Sequence, residues 1–139
     1  LAVARVSEGI ELREAGINVP ILLLSLCNPN EYSDLIKYKI TPFVFDEQYI
    51  LGISEAVKNA KQSSFNVHLA IDTGMGRIGC NPSDAAKLAK FIISTGNLKL
   101  EGVASHCSVA DSDTEVFDVY PEGIYVVNVG EDTYKVLVK

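Results

Sequence analysis

The sequence predicts an α/β fold in which parallel strands are joined by helical crossovers, and three observations predict it. Short apolar runs alternate with amphipathic segments in a βαβαβαβαβ order over the first hundred or so positions. Two of the runs, "VPILLLS" and "ITPFVFD", are apolar almost without interruption, as strands covered on both faces are. The connecting loops are short, so each strand passes almost at once into its crossover.

Taken in order, "LAVA" is a short apolar strand, and in "SEGIELREAG" Ser7 caps a helix that Gly16 closes. "VPILLLS", opened by a proline, is the second strand. "NPNEYSDLIKYK" predicts a helix begun at Asn28 and Pro29, "ITPFVFD" a third strand, and "EQYILGISEAVKNAK" an amphipathic helix. "NVHLAID" is a strand that runs into a glycine-rich loop. "NPSDAAKLAKFIISTGN" carries the clearest helical signal: Pro82 opens it, and Ala85, Leu88, Ala89 and Ile92 recur at helical spacing. "LEGVASH" is a further strand. Beyond Asp113 the rhythm breaks, and "GIYVVNVGEDTYKVLVK" alternates polar and apolar residues around Gly-Glu-Asp, a hairpin pattern. Two architectures fit the parallel part, a doubly wound sheet and a TIM-type barrel. Both hold ligands at the carboxyl ends of the strands, where Asp72 to Arg77 and His106 fall.

The chain has 139 residues, enough for one domain with a real core. Apolar residues make up 47% and charged residues 22%, with no run of 18 or more apolar positions, which excludes a membrane-spanning helix. The first residues lack the charged and apolar regions of a signal peptide. The sequence opens at Leu1 directly in strand-like residues and reads as the interior of something longer. A net charge of −6, with lysines scattered over helix surfaces, argues against nucleic acid as a partner. Cys27, Cys80 and Cys107 are widely spaced and odd in number, and fit neither a disulfide framework nor a zinc pattern. A reduced, cytoplasmic setting without a metal is the expectation.

"HLAIDTGMGRIGC" (68–80) carries the chemistry. Gly74, Gly76 and Gly79 let the backbone take positive φ and approach a ligand closely. Arg77 is a permanent cation with a planar fork of donors, suited to a carboxylate, a phosphate or a phenolate oxygen. A tight turn whose arginine pairs with a neighbouring helix would explain the same residues, and no Lys-Ser/Thr follows to make a Walker loop. His106, at a strand's carboxyl end, reads either as a ring that meets a bound group or as a satisfied core histidine. His68 lies mid-strand and reads as structural. Asp72 either caps the loop or orients its donors. Cys107 adjoins His106, but neighbouring strand residues face opposite ways, which argues against a Cys–His pair or a metal site.

"HLAIDTGMGRIG" together with "EGVASHCSVADS" resembles the alanine racemases, the amino-acid racemases of pyridoxal-phosphate fold type III. Those enzymes read His-x-Lys-x-Asp-Thr-Gly-Met-Gly-Arg-x-Gly, then a strand ending in His, small residues and Ala-Asp. "LAVARVSEGIELREAGINVPILLLS" is similar to the family's segment after its cofactor-lysine region, and the resemblance holds one register from Leu1 to about Ser112. It implies a (β/α)8 barrel with an added β domain, so that 1–112 would be a partial barrel and 113–139 a β-rich tail. It also implies pyridoxal 5'-phosphate as cofactor and the interconversion of L-alanine and D-alanine, which supplies cell-wall peptidoglycan precursors. Residue by residue, Arg77 matches the arginine that hydrogen-bonds the ring's phenolic oxygen. His106 matches the histidine that packs on the pyridine face, and Leu24 an apolar residue that lines the cofactor.

The sequence departs from the family pattern in two ways. The family's Lys-Ala-x-Ala-Tyr-Gly-His stretch, whose lysine holds the cofactor and shares acid/base work with a tyrosine, is absent, and so are the phosphate-binding residues. Tyr120, Tyr125 and Tyr134 fall in the tail, which does not resemble the region of that tyrosine. Ala70 stands where many members have a lysine, often carbamylated, bonded to the arginine. No catalytic residue is therefore assigned, and the chain alone is expected to be inactive and not to bind the cofactor covalently. A full barrel takes ~250 residues and eight strands, so the expectation is association with the remainder of a barrel or with a second copy. The other two expectations kept open are a half-barrel association module and a non-catalytic pyridoxal-phosphate-binding barrel.

Overall fold

Strand order separates the two architectures. The computed structural model describes residues 1–106 in full and, as backbone alone, the segments Gly123–Val129 and Asp132–Val138. Among the described residues, five parallel strands form one sheet in the order in which the chain makes them: β1 (Ala2–Val3), β2 (Ile21–Leu23), β3 (Ile40–Val44), β4 (Phe65–Ile71) and β5 (Leu98–Ser105). A doubly wound sheet reverses its winding at a switch point. An unbroken sequential order instead sends every right-handed crossover to the same face.

Burial shows that asymmetry. On β4, Phe65, Val67, Leu69 and Ile71 are buried, while Asn66 and His68 on the other face are only half-buried. On β2 and β3, Ile21, Leu23, Ile40 and Val44 are fully buried, whereas Leu22, Thr41 and Phe43 are not. One packed face and one open face make an arc of a (β/α) barrel, the open face being the barrel's interior. The fold is a partial TIM-type barrel.

The crossovers are α1 (Val6–Glu14), α2 (Tyr32–Lys37), α3 (Glu47–Asn59) and α4 (Ala85–Ser94). In α3, Ile50, Ile53, Ser54 and Val57 turn inward; in α4 it is Ala85, Leu88, Ala89 and Ile92, the four positions at helical spacing in the sequence. Asp46 caps α3, its Oδ1 accepting from the Tyr49 N–H at 2.7 Å. Asn28 and Pro29 begin a single 3₁₀ turn that leads into α2, with Glu31 accepting from the Asn28 N–H at 2.8 Å. α1 corrects one expectation. Ser7 lies exposed inside the first turn and Arg5 is the N-cap, because the Glu8 carboxylate reaches back to the N–H groups of Ala4 (2.8 Å) and Arg5 (3.2 Å). Gly16, at φ +86°, closes the helix.

The first two strands are also shorter than their apolar runs. β1 ends at Val3, so beyond the Leu24 N–H to Val3 O bond (2.9 Å) the rest of "VPILLLS" has no neighbour there to pair with. β6 (Gly123–Val129) and β7 (Asp132–Val138) pair antiparallel as a separate two-stranded sheet, the hairpin that the alternation predicts. The expected boundary at 112/113, Cys107 and Tyr120 lie outside the described residues, as do the side chains of Tyr125 and Tyr134.

Candidate functional site

Beyond Ile71 the chain folds back on the end of its own strand. The Asp72 N–H donates to Cys80 O and the Cys80 N–H to Ala70 O, both at 2.9 Å, closing the loop at its base. Asp72 organises the interior: its Oδ1 accepts from the N–H groups of Gly74 (2.9 Å) and Gly76 (3.0 Å). Gly79 has no substitute, because at φ +143° an added Cβ would lie 2.3 Å from the Asp72 nitrogen. Thr73 is buried and shares a 2.6 Å hydrogen bond with the Ser105 hydroxyl. Arg77 stands on the exposed side of this loop.

β5 delivers the other half of the site. A register shift between Val67 and His68 sets Glu101 aside as an extra residue and brings Gly102 opposite His68, Ala104 opposite Ala70 and Ser105 opposite Ile71. His106 follows at the same rim as the loop. Together these elements enclose a cavity of about 230 Å³. Leu22, Leu24, Phe43, Ile78, Ala70 and Ala104 supply apolar walls, and Arg77, Ser105 and His106 the polar groups. Thus Arg77, His106 and Leu24 line one space at the carboxyl ends of the strands, and Ala70 lines it with them. Among the described residues Arg77 has no hydrogen-bond or ion-pair partner, so its donors are available to a ligand.

His68 lies deeper on the open face. Its Nε2 is 3.5 Å from Glu101, whose other oxygen accepts from the Asn66 amide at 2.7 Å, and its ring stands edge-on to Phe43. Burial pushes the Cys80 thiol up to about 11 and raises Cys27 as well, which disfavours the thiolate form of both near neutral pH. Among the described residues no group of three or more His, Cys, Asp or Glu comes together as a metal site. None of their helices is long and apolar enough to cross a membrane.

Chemically, the cavity offers a fixed cation and an imidazole at the rim of a small apolar space. That arrangement suits a flat ring bearing an anionic oxygen. Sequence reasoning alone did not assign Phe43, Ile78 and Ala104 to this wall. The near-continuous apolar run "ITPFVFD" carries no signal that would turn Phe43 toward the cavity. The Thr73–Ser105 contact has none, since its partners lie 32 positions apart.

Residues 1–120 match the family model described as the N-terminal domain of alanine racemase. The chain is 49% identical over 115 residues to an alanine racemase of Treponema denticola, covering 83% of this chain and 30% of that protein. It is 42% identical to the alanine racemase of Treponema pallidum, covering 80% of this chain and 30% of that one. A solved alanine racemase of Clostridium difficile superposes with a TM-score of 0.72 at 39% identity, over 81% of this chain and 30% of that structure. The chain thus spans about 30% of the length of the relatives it matches.

Proposed function

This chain belongs to the alanine racemase family, and on that premise we propose that it is a barrel segment of an enzyme interconverting L-alanine and D-alanine, whose cavity holds the ring of pyridoxal 5'-phosphate. The observation that carries the reading is that Arg77, His106 and Leu24 line one cavity at the barrel mouth. The lining fits the ring and its phenolic oxygen. It offers nothing for the aldehyde end, since among the described residues no lysine lines the cavity. When bound, the cofactor draws electrons away from the amino acid's α-carbon and makes its α-proton acidic.

The chain's own residues contribute binding and orientation. With the cofactor bound, Arg77 would donate to the phenolic oxygen and favour its ionised form, His106 would meet the ring, and Leu24, Phe43 and Ile78 would keep water from the rim. Ala70 lines the same cavity as Arg77 and offers the guanidinium no acceptor, which leaves the ligand's own oxygen as a partner for it. Among the described residues none of this lining is assigned to carry the α-proton, and with the family's lysine and tyrosine motifs missing from the sequence the 139-residue chain alone is inactive on this reading.

A chimera tests it. Residues 1–112 of this chain replace the matching stretch of the Treponema denticola protein, and D-alanine formed from L-alanine with added pyridoxal phosphate is followed by chiral chromatography. Racemisation by the chimera, and none by the isolated chain, is expected. A folded chimera that leaves the enantiomer ratio unchanged overturns the proposal.

One observation favours association as well. Among the described residues β1 and β5 are the outer strands of the five-stranded sheet, β7 packs beside β5, and the sheet's inner face is only half-buried. Pairing with the remainder of a barrel, or with a second copy, would satisfy both. A strictly monomeric chain in light scattering at high concentration contradicts the homo-oligomer.

A further inference from the structure

We propose that the hydroxyl pair Thr73–Ser105 is the joint that keeps Arg77 and His106 turned to the same ligand, which makes both hydroxyls positioning residues for ring binding. The inference rests on the reading of the cavity as a ring site. It starts from how the loop is held. The Asp72 carboxylate bonds Gly74 and Gly76 within the loop, and the backbone bonds at Cys80 return to Asp72 and Ala70. All of these tie the loop to itself or to its own strand. The β4–β5 ladder ends at Ile71 opposite Ser105. Among the described residues, the hydrogen bond that links the loop across to β5 is the 2.6 Å contact between Thr73 Oγ1 and Ser105 Oγ.

The positions of the two residues give that contact its meaning. Ser105 immediately precedes His106, and Thr73 lies four residues before Arg77 on a loop whose interior is already fixed. A shift at the joint therefore moves the cation relative to the imidazole without unfolding either element. Thr73 is 4% exposed, so its hydroxyl has little access to water as a substitute partner. Removing the Ser105 oxygen leaves the buried Thr73 hydroxyl short of a partner, removing the Thr73 oxygen leaves Ser105 to the water of the cavity, and either way the loop gains a degree of freedom against β5. A lock that served folding alone would lower stability and leave ligand affinity untouched. A joint for the site changes affinity, and a serine at 73, which keeps the hydroxyl, restores it.

The test uses the full 139-residue chain and pyridoxine 5'-phosphate, which has the ring, the phenolic oxygen and the phosphate but no aldehyde to react with lysines. Dissociation constants come from calorimetry, and amide hydrogen exchange is read at Gly74, Gly76 and His106. Thr73→Val and Ser105→Ala should each weaken binding about fivefold to tenfold, the scale of one lost hydrogen bond. The double variant should bind no worse than the weaker single variant, and Thr73→Ser should stay within about twofold of the parent. Exchange at the loop glycines and at His106 should rise together in either single variant. Parent-like affinity in Thr73→Val, or losses that multiply in the double variant, overturns the joint. If the parent chain does not bind the probe, the ring-site reading falls. The joint is then decided by exchange alone: Thr73→Val with unchanged exchange at His106 refutes it.

Discussion

Single residues set the loop's shape, and the costs of changing them differ with their surroundings. Gly79→Ala forces a Cβ into the Asp72 backbone at a positive φ, and should cost more than about 2 kcal/mol in urea unfolding. Gly16→Ala, also at positive φ but with nothing within 4 Å of the added Cβ, should cost only about 1 kcal/mol. Cys80 gives a pH dependence of known sign. Its thiol titrates at about 11 in the folded chain against an ordinary 9.0, so in between the unfolded chain releases the proton first. Stability should fall as pH climbs through that window and be indifferent to this group below it; Cys80→Ala should flatten the slope. At this scale the turn-forming glycines were legible, because Gly74, Gly76 and Gly79 all take the positive φ that this residue type permits. The Asp72 roles stayed open in the sequence, and the contacts show it bonding two loop amides. The Thr73–Ser105 pair was illegible, because a hydroxyl contact between distant residues leaves no periodic trace.

At the scale of elements, apolar periodicity read α3 and α4 well, since one-sided burial is what makes a crossover helix. Strand lengths were read less well. The apolar runs predicted cover on both faces, but Val19 and Leu24 are exposed and Leu22 and Phe43 half-buried, because the inner face of the arc is open, and β1 is too short to pair with all of "VPILLLS". The start of α1 was misplaced at Ser7 because capping by a carboxylate two residues inside the helix does the work expected of a hydroxyl. One buried polar contact joins α3 to the start of β5: the Ser54 hydroxyl donates to the Asn97 side-chain oxygen at 2.7 Å, and the Asn97 amide donates to Ser54 O at 2.8 Å. Asn97→Ala should cost about 2 kcal/mol, because it takes the acceptor from the buried Ser54 hydroxyl and a second hydrogen bond from Ser54 O. Breaking the exposed Lys87–Glu47 ion pair with Lys87→Ala should leave the unfolding midpoint where it is.

At the scale of the whole molecule, the strand and helix rhythm left two architectures open; the family resemblance favoured the barrel, and spatial order bears it out. Sequential parallel strands with one open face make a barrel arc, and the family match agrees. That arc has two ends, with a cavity of about 310 Å³ at the amino ends of the strands, beside Arg13 and Lys39, and the Arg77–His106 cavity at the carboxyl ends. In the amino-end cavity Arg13 is already committed, donating to the carbonyls of Ile17, Val19, Tyr38 and Lys39. The whole reading depends on an aromatic phosphate ligand choosing the carboxyl end. A nuclear magnetic resonance titration of the labelled chain with pyridoxine 5'-phosphate reports that choice directly. Shifts centred on the Arg77 guanidinium, the His106 ring and the amides of Leu24 and Ile78 are expected; shifts that gather around Arg13 and Lys39 instead, with Arg77 and His106 unmoved, contradict it.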